Sequence, residues 1–393
     1  MLVTMHMAAI ASRLRPRLPV ASSQFFPRIA ADHREDQRVV RHRSLRVQVH
    51  FQSLRGLQTA ASMSPTSLKL AFVQLSPRPD PKYGYPCTRS SHGLSVVGGK
   101  IILYGGEHVA RTPLDEEKQA LWIVSDDQWR CCVIDANAQP PARVAHAQAV
   151  VGDDSVYIFG GRAGITMKEH PMNDLWKFNV DSETWTQVET FGTPPSPRSF
   201  HRMVACDGSL YVFGGCGAEG RMADLYQLNL ETRMWKSLGN SPLLRGRGGP
   251  NLIVLNERLA VVGGFAGEET NDGHAYSTID SKWDESPLDV TGMRPRSVCV
   301  SASLGGLAVI FGGEVDPSEL GHEGAGGFEN DVVVMDGTTG KYLETLRLDP
   351  CPEERGWSAG AATASSLYIF GGLAGDDANP KRLNDLWRLD LLE

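Results

Sequence analysis

The chain has 393 residues, 41% hydrophobic and 22% charged, and its 41 Gly and 23 Pro suit a protein with many tight turns rather than a disordered one. No apolar run approaches the eighteen or so residues that a membrane-spanning helix needs, which sets membrane insertion aside. The net charge of −7 divides into +7 for residues 1–62 and hence −14 for residues 63–393, an acidic body that repels phosphate backbones and sets nucleic acid aside as a partner.

Residues 1–62 carry ten Arg and no Lys, and the first 31 hold no acid, with Arg13, Arg15, Arg17 and Arg28 interleaved with Ala, Ser and Leu. This composition matches an organelle transit peptide, or a disordered extension ahead of an alternative start at Met63. The expected location is the cytoplasm, or a mitochondrion or plastid if residues 1–62 are a transit peptide. Seven scattered Cys (Cys87, Cys131, Cys132, Cys206, Cys216, Cys299 and Cys351) include no C-x-x-C pair. They predict neither a disulfide framework nor a structural zinc site and fit a reducing compartment.

A strand pattern, LKLAFVQLSP, occupies the 67–77 region and has no repeat of its own. Six times thereafter an apolar strand ends in Gly-Gly: ILYGG to Gly106, YIFGG to Gly161, YVFGG to Gly215, AVVGG to Gly264, VIFGG to Gly313 and YIFGG to Gly372. The intervals are 55, 54, 49, 49 and 59 residues, and an Arg stands sixteen or seventeen residues before each pair: Arg89, Arg143, Arg198, Arg247, Arg296 and Arg355. After each pair comes a variable loop and then a further strand, as in NDLWKFNV (173–180), ADLYQLNL (223–230), NDVVVMD (330–336) and NDLWRLDL (384–391). A last strand opens at Trp129, Trp185, Trp235, Trp283 or Tyr342.

A period of about fifty residues with a diglycine and a spaced aromatic pair resembles the kelch repeat. One four-stranded unit cannot cover both of its faces, so the units must stack radially. The prediction is an all-β fold: a six-bladed kelch β-propeller over residues 66–393, four antiparallel strands per blade, with the ring closed by the N-terminal strand of the 67–77 region. The six arginines recur in every unit, which is the mark of scaffolding.

The residue after each diglycine is expected to face one mouth of the central channel, giving a ring of Glu107, Arg162, Cys216, Phe265, Glu314 and Leu373. The fifth unit breaks the repeat symmetry with GGEVDPSELGHEGAGGFENDV (312–332), in which Glu314, Asp316, Glu319, His322 and Glu323 fall within ten residues. One His with several carboxylates is a ligand set suited to Fe(II) with open positions.

FGGEV, the following LGH and Gly-rich stretch, RSSHG (89–93), IFGGR (158–162), RGG (247–249) and ERGW (354–357) together resemble the nitrile-specifier and epithiospecifier proteins of plants and their wider relatives. That resemblance implies Fe(II) held by Glu314 and His322, with Arg162 pairing to the sulfate of a thiohydroximate-O-sulfate and Glu107 as proton acceptor or orienter. The family's central Asp ligand falls on Ser318, so Asp316 or Glu319 would have to replace it. The implied activity is a nitrile-forming, sulfate-releasing lyase acting on a small sulfated substrate. Two other readings remain open: a metal-independent propeller that binds a protein partner as adaptor or scaffold, and a sugar-processing propeller of the sialic-acid mutarotase kind using Glu107 and Arg162.

Overall fold

The structure is a computed structural model that describes residues 69–115, 119–163, 170–320 and 324–392. The expectations for residues 1–62 and for His322 and Glu323 fall outside these. The only helical element among the described residues is a single 3-10 turn, Ala136–Ala138, so no helix here is long and apolar enough to cross a membrane.

Six sheets form a ring. The innermost strands, in chain order, are Gly93–Val97, Ala147–Val151, Arg202–Cys206, Asn251–Leu255, Val300–Leu304 and Ala359–Ala362, and each touches the next, the sixth returning to the first. Each strand pairs antiparallel with its successor going outward. The third blade departs from four strands: Phe191–Gly192, arriving from the second blade, adds a fifth strand parallel to Met234–Asn240. In the sixth blade the outermost strand is Lys69–Leu75, antiparallel to Pro380–Leu392 with Lys69 opposite Leu392 and Leu75 opposite Leu386.

The core is divided among the junctions. Six apolar clusters each join two neighbouring blades, as where Ile102 and Ile123 of the first meet Ile158, Phe178 and Trp185 of the second. Blades buried on both faces explain why the second and third strands read as continuous apolar runs rather than as alternating ones.

The repeat arginines hold each blade to itself and to its neighbour. Arg143 Nη1 donates to the carbonyl of Gly160, the first glycine of its own pair, at 2.9 Å. Its carbonyl in turn accepts from the second glycine of the preceding blade, Gly106 N–H, at 3.1 Å. The same bond runs from Gly161 to Arg198, Gly215 to Arg247, Gly264 to Arg296, Gly313 to Arg355 and Gly372 to Arg89, closing a circle. This is why the motif is a diglycine. Gly161 has φ +95°, and a Cβ there would stand 2.8 Å from the carbonyl oxygen of Val144.

Candidate functional site at the channel mouth

Two residues beyond each repeat arginine the backbone turns left-handed, at Ser91, Ala145, Phe200, Gly249, Val298 and Trp357, with φ between 47° and 58°. Five of the six are not glycine, and Val298 is β-branched, so this conformation is held by its surroundings. The holding element is a second closed circle: each of these N–H groups donates to the equivalent carbonyl of the preceding blade at 2.8–2.9 Å, with Ser91 N–H donating to Trp357 O. The ring narrows the channel, and the side chains of Phe200, Val298 and Trp357 lie on it as an apolar floor under a pocket of about 230 Å³.

The walls come from the residues after the diglycines. Each pairs with the residue following the repeat arginine, as Glu107 with Ser90, Arg162 with Val144 and Glu314 with Ser297. The expected ring of six therefore exists in the backbone, but it divides by side chain. Cys216, Phe265 and Glu314 line the pocket together with Ser318. Leu373 is buried against Trp357 and Phe328.

Glu107 does not line the pocket. Its carboxylate accepts from Arg382 Nη2 at 3.2 Å, Ser90 Oγ at 3.3 Å and Arg111 N–H at 2.6 Å, tying the first blade to the sixth. Arg162 is buried, with its guanidinium carbon 4.8 Å from the centre of the Phe200 ring that forms the floor. A second guanidinium, Arg221, lies 4.5 Å from the Phe265 ring centre and lines the pocket directly. Sequence reasoning missed Arg221, which sits in the short strand Gly220–Arg221 and carries no repeat signal.

Glu314, which lines the same pocket as Arg221, is buried, and burial with the Asp377 carboxylate nearby raises its pKa to about 7, although a hydrogen bond from Ser318 N–H works the other way. Glu269, from the fourth blade, is pushed up to about 8 by burial and by Glu314 and Asp316. Ser297 Oγ donates to Glu269 Oε1 at 3.2 Å, while Oε2 is buried without a partner among the described residues. Glu269 was also missed; it lies five residues past its diglycine, and only the packing of the fourth blade on the fifth brings it to Glu314.

Asp316 is exposed and accepts from Arg294 Nη2 at 3.1 Å. Glu319 is exposed, and Ser318 Oγ accepts from Leu320 N–H at 3.0 Å. Among the described residues no three His, Cys, Asp or Glu side chains converge as a metal site.

A six-bladed β-propeller whose mouth carries a largely apolar pocket, lined among others by one arginine, Arg221, and one buried carboxylate, Glu314, is the class of protein this geometry defines. A family profile described as "KLHDC2/KLHL20/DRC7 Kelch-repeats domain" matches residues 91–313, and the chain belongs to the kelch-repeat family. It is 28% identical over 320 residues to an N-(sulfonatooxy)prop-2-enimidothioate sulfolyase of Thlaspi arvense, an alignment covering 73% of this chain and 89% of that one. It is also 30% identical over 260 residues to Adagio protein 3 of Arabidopsis thaliana, but there it spans 59% of itself and only 40% of the relative. Among solved structures it is similar in fold to YjhT, with a TM-score of 0.60 at 16% identity over 77% of this chain and 95% of that one.

Proposed function

We propose that the chain is a specifier-type lyase that binds a thiohydroximate-O-sulfate at the channel mouth and directs its breakdown to a nitrile. The observation that carries this reading is the seating of Arg162 against Phe200: a permanent, planar cation beside an apolar floor is what a small substrate with a sulfate at one end and an alkyl or alkenyl group at the other requires. The sulfolyase relative, named for a substrate of that kind and aligned over most of both chains, supports the same chemistry.

The floor of Phe200, Val298 and Trp357 takes the carbon side chain and excludes water from it. Arg162, seated against the Phe200 ring, pairs with the sulfate, and Arg221, which lines the pocket, serves as a second cation. The N–O bond breaks with its electron pair leaving on sulfate, the C–S bond breaks to release sulfur, and the carbon and nitrogen remain as the nitrile. The two negative charges of the substrate depart as sulfate, which is where the guanidinium stabilises them.

Fe(II) is the cofactor of this reading, and among the described residues Glu314 fits it: a buried carboxylate with a raised pKa gains most from a neighbouring cation. Glu314 and His322 would hold the ion, with Asp316, once it leaves Arg294, or Glu319 as the third ligand. When bound, Fe(II) supplies a Lewis acid for the substrate's sulfur. Glu107, held by Arg382, orients the mouth rather than accepting a proton.

The test is to give the full chain, prepared anaerobically with and without Fe(II), a thiohydroximate-O-sulfate and to measure nitrile by gas chromatography. Nitrile that requires Fe(II) and falls sharply in Arg162→Ala supports the reading; no nitrile under either condition removes it. In that event the partner-binding reading, a propeller acting as adaptor or scaffold, takes its place. A cleft of about 750 Å³ beside the mouth, lined by Pro171, Pro197, Arg221, Met222 and Leu244, supports it.

A further inference from the structure

Beyond the floor of the mouth pocket the channel continues as three joined cavities of about 40, 110 and 380 Å³. The first two share His92, His146, Arg202 and Ser358, and the last two share Leu94, Gln148, Met203 and Ser301, so they form one passage along the inner strands. No Asp or Glu lines any of the three. The histidines there are neutral: burial, with Arg89 and Arg143 nearby, pushes His92 and His146 down to about 3, and His201 is lowered for the same reasons beside Arg198.

Arg202 is thus the single charged side chain on this passage among the described residues. Its Nε donates to Pro250 O at 2.9 Å and its Nη2 to Cys299 O at 2.7 Å. Nη1 makes no hydrogen bond among the described residues, and the side chain keeps part of its surface toward the two upper cavities. Five of the six repeat arginines, by contrast, each meet an aspartate through two nitrogens.

A guanidinium cannot shed its charge in a protein. Enclosed without a counter-charge it is costly, and carbonyl dipoles compensate only in part. A narrow passage of one sign between low-dielectric walls focuses its field on mobile ions of the other sign. Ser301, whose hydroxyl makes no hydrogen bond among the described residues, lines the 110 Å³ cavity with Arg202 and offers a neutral donor.

We infer that a small inorganic anion of chloride size binds in the passage at Arg202, in the 110 Å³ cavity. The site is separate from the mouth pocket, and the inference holds whether or not that pocket is catalytic. The ion neutralises the waist of the propeller and ties the third blade to the fourth and fifth through the arginine it completes.

The test uses the full chain. Thermal unfolding is followed as chloride rises from about 1 to about 100 mM at constant ionic strength, with gluconate as the replacement, because an ion that binds only the folded state raises Tm with its concentration. The expected result is a rise of several degrees for wild type, retained in Arg202→Lys and absent in Arg202→Met, which removes the charge but keeps most of the bulk. In crystals soaked in bromide, an anomalous peak is expected against the Arg202 guanidinium. Equal chloride effects in wild type and Arg202→Met overturn the inference. So does the absence of a peak at Arg202, a readout that survives if Arg202→Met does not fold. A peak without any chloride-specific rise in Tm means an adventitious ion only, and overturns it too.

Discussion

In the first blade Arg89 Nη1 donates to the carbonyl of Ala120 at 3.2 Å, at the position where each of the other five blades presents an aspartate to its arginine. Arg143 meets Asp174 with two bonds of 2.8 Å, and Arg355 meets Asp385 at 2.6 and 2.8 Å. Arg89 is fully buried and makes do with carbonyls and the Cys87 sulfur, so desolvation lowers its pKa. Ala120→Asp is expected to supply the missing partner and stabilise the fold by ~1.5–3 kcal/mol, the range of a hydrogen bond to a charged group. Asp174→Ala is expected to cost ~3–5 kcal/mol by leaving Arg143 buried and unpaired. Urea unfolding of the two variants checks both, and a destabilised Ala120→Asp contradicts the equivalence of the blades.

Acid should unfold the propeller through its histidines. His92, His146 and His201 have folded pKa values lowered by burial and by Arg89, Arg143, Arg198 and Arg202, partly offset by hydrogen bonds to the Phe370 and Phe159 carbonyls at His92 and His201 and by Gln148 and Asp174 at His146. The unfolded chain, with pKa near ~6.5, therefore binds more protons than the native state between about pH 6.5 and 3. Stability falls as pH drops through that window, by up to ~1.4 kcal/mol per pH unit for each histidine. The depressed Asp174, Asp272 and Asp385 add a further loss once pH falls below the ordinary carboxylate range. Denaturant midpoints from pH 8 to 4 should show the slope, and His146→Gln should flatten it.

Deleting residues 67–77 is expected to destabilise the whole ring, whereas deleting 1–62 should leave its melting unchanged. The first deletion removes the strand whose Leu70 and Phe72 are buried, Phe72 lying 5.3 Å from the Phe311 ring of the fifth blade and 6.3 Å from Trp387 of the sixth. Phe72→Ala alone should cost ~3–5 kcal/mol. Identical melting curves for the two truncations would refute the role given to this strand.

Glu314→Gln, nearly isosteric, should leave the melting temperature within a few degrees of wild type while abolishing Fe(II) binding in an anaerobic titration of the full chain. Retained stoichiometric binding would place the ion elsewhere.

Much of this architecture is legible in the sequence because its determinants are backbone requirements that repeat. A diglycine is demanded wherever one blade's N–H must reach the next blade's arginine carbonyl, so six diglycines announce six blades. The fate of each side chain after the diglycine is not legible, since it depends on the facing blade: Glu107 is captured by Arg382, 275 residues away in the chain, and Asp316 by Arg294. Glu269, at the start of strand Glu269–Ser277, and Arg221, in the short strand Gly220–Arg221, carry no periodic mark in the sequence, and Arg202 reads as an ordinary strand residue until the inner strands are arranged about the axis. The aspartates at 174, 224, 331 and 385 stand in the quoted strand motif, that at 272 does not, and the pairing of all five with arginines some thirty residues earlier is a property of the closed sheet.

The circle of hydrogen bonds beneath the mouth pocket is built from main-chain atoms alone. Its closure is indifferent to what Phe200, Val298 and Trp357 carry beyond Cα, apart from the tolerance each has for a left-handed turn. Pocket shape and ring closure are thereby separable: exchanging a floor side chain reshapes the pocket above it without removing any main-chain bond of the ring.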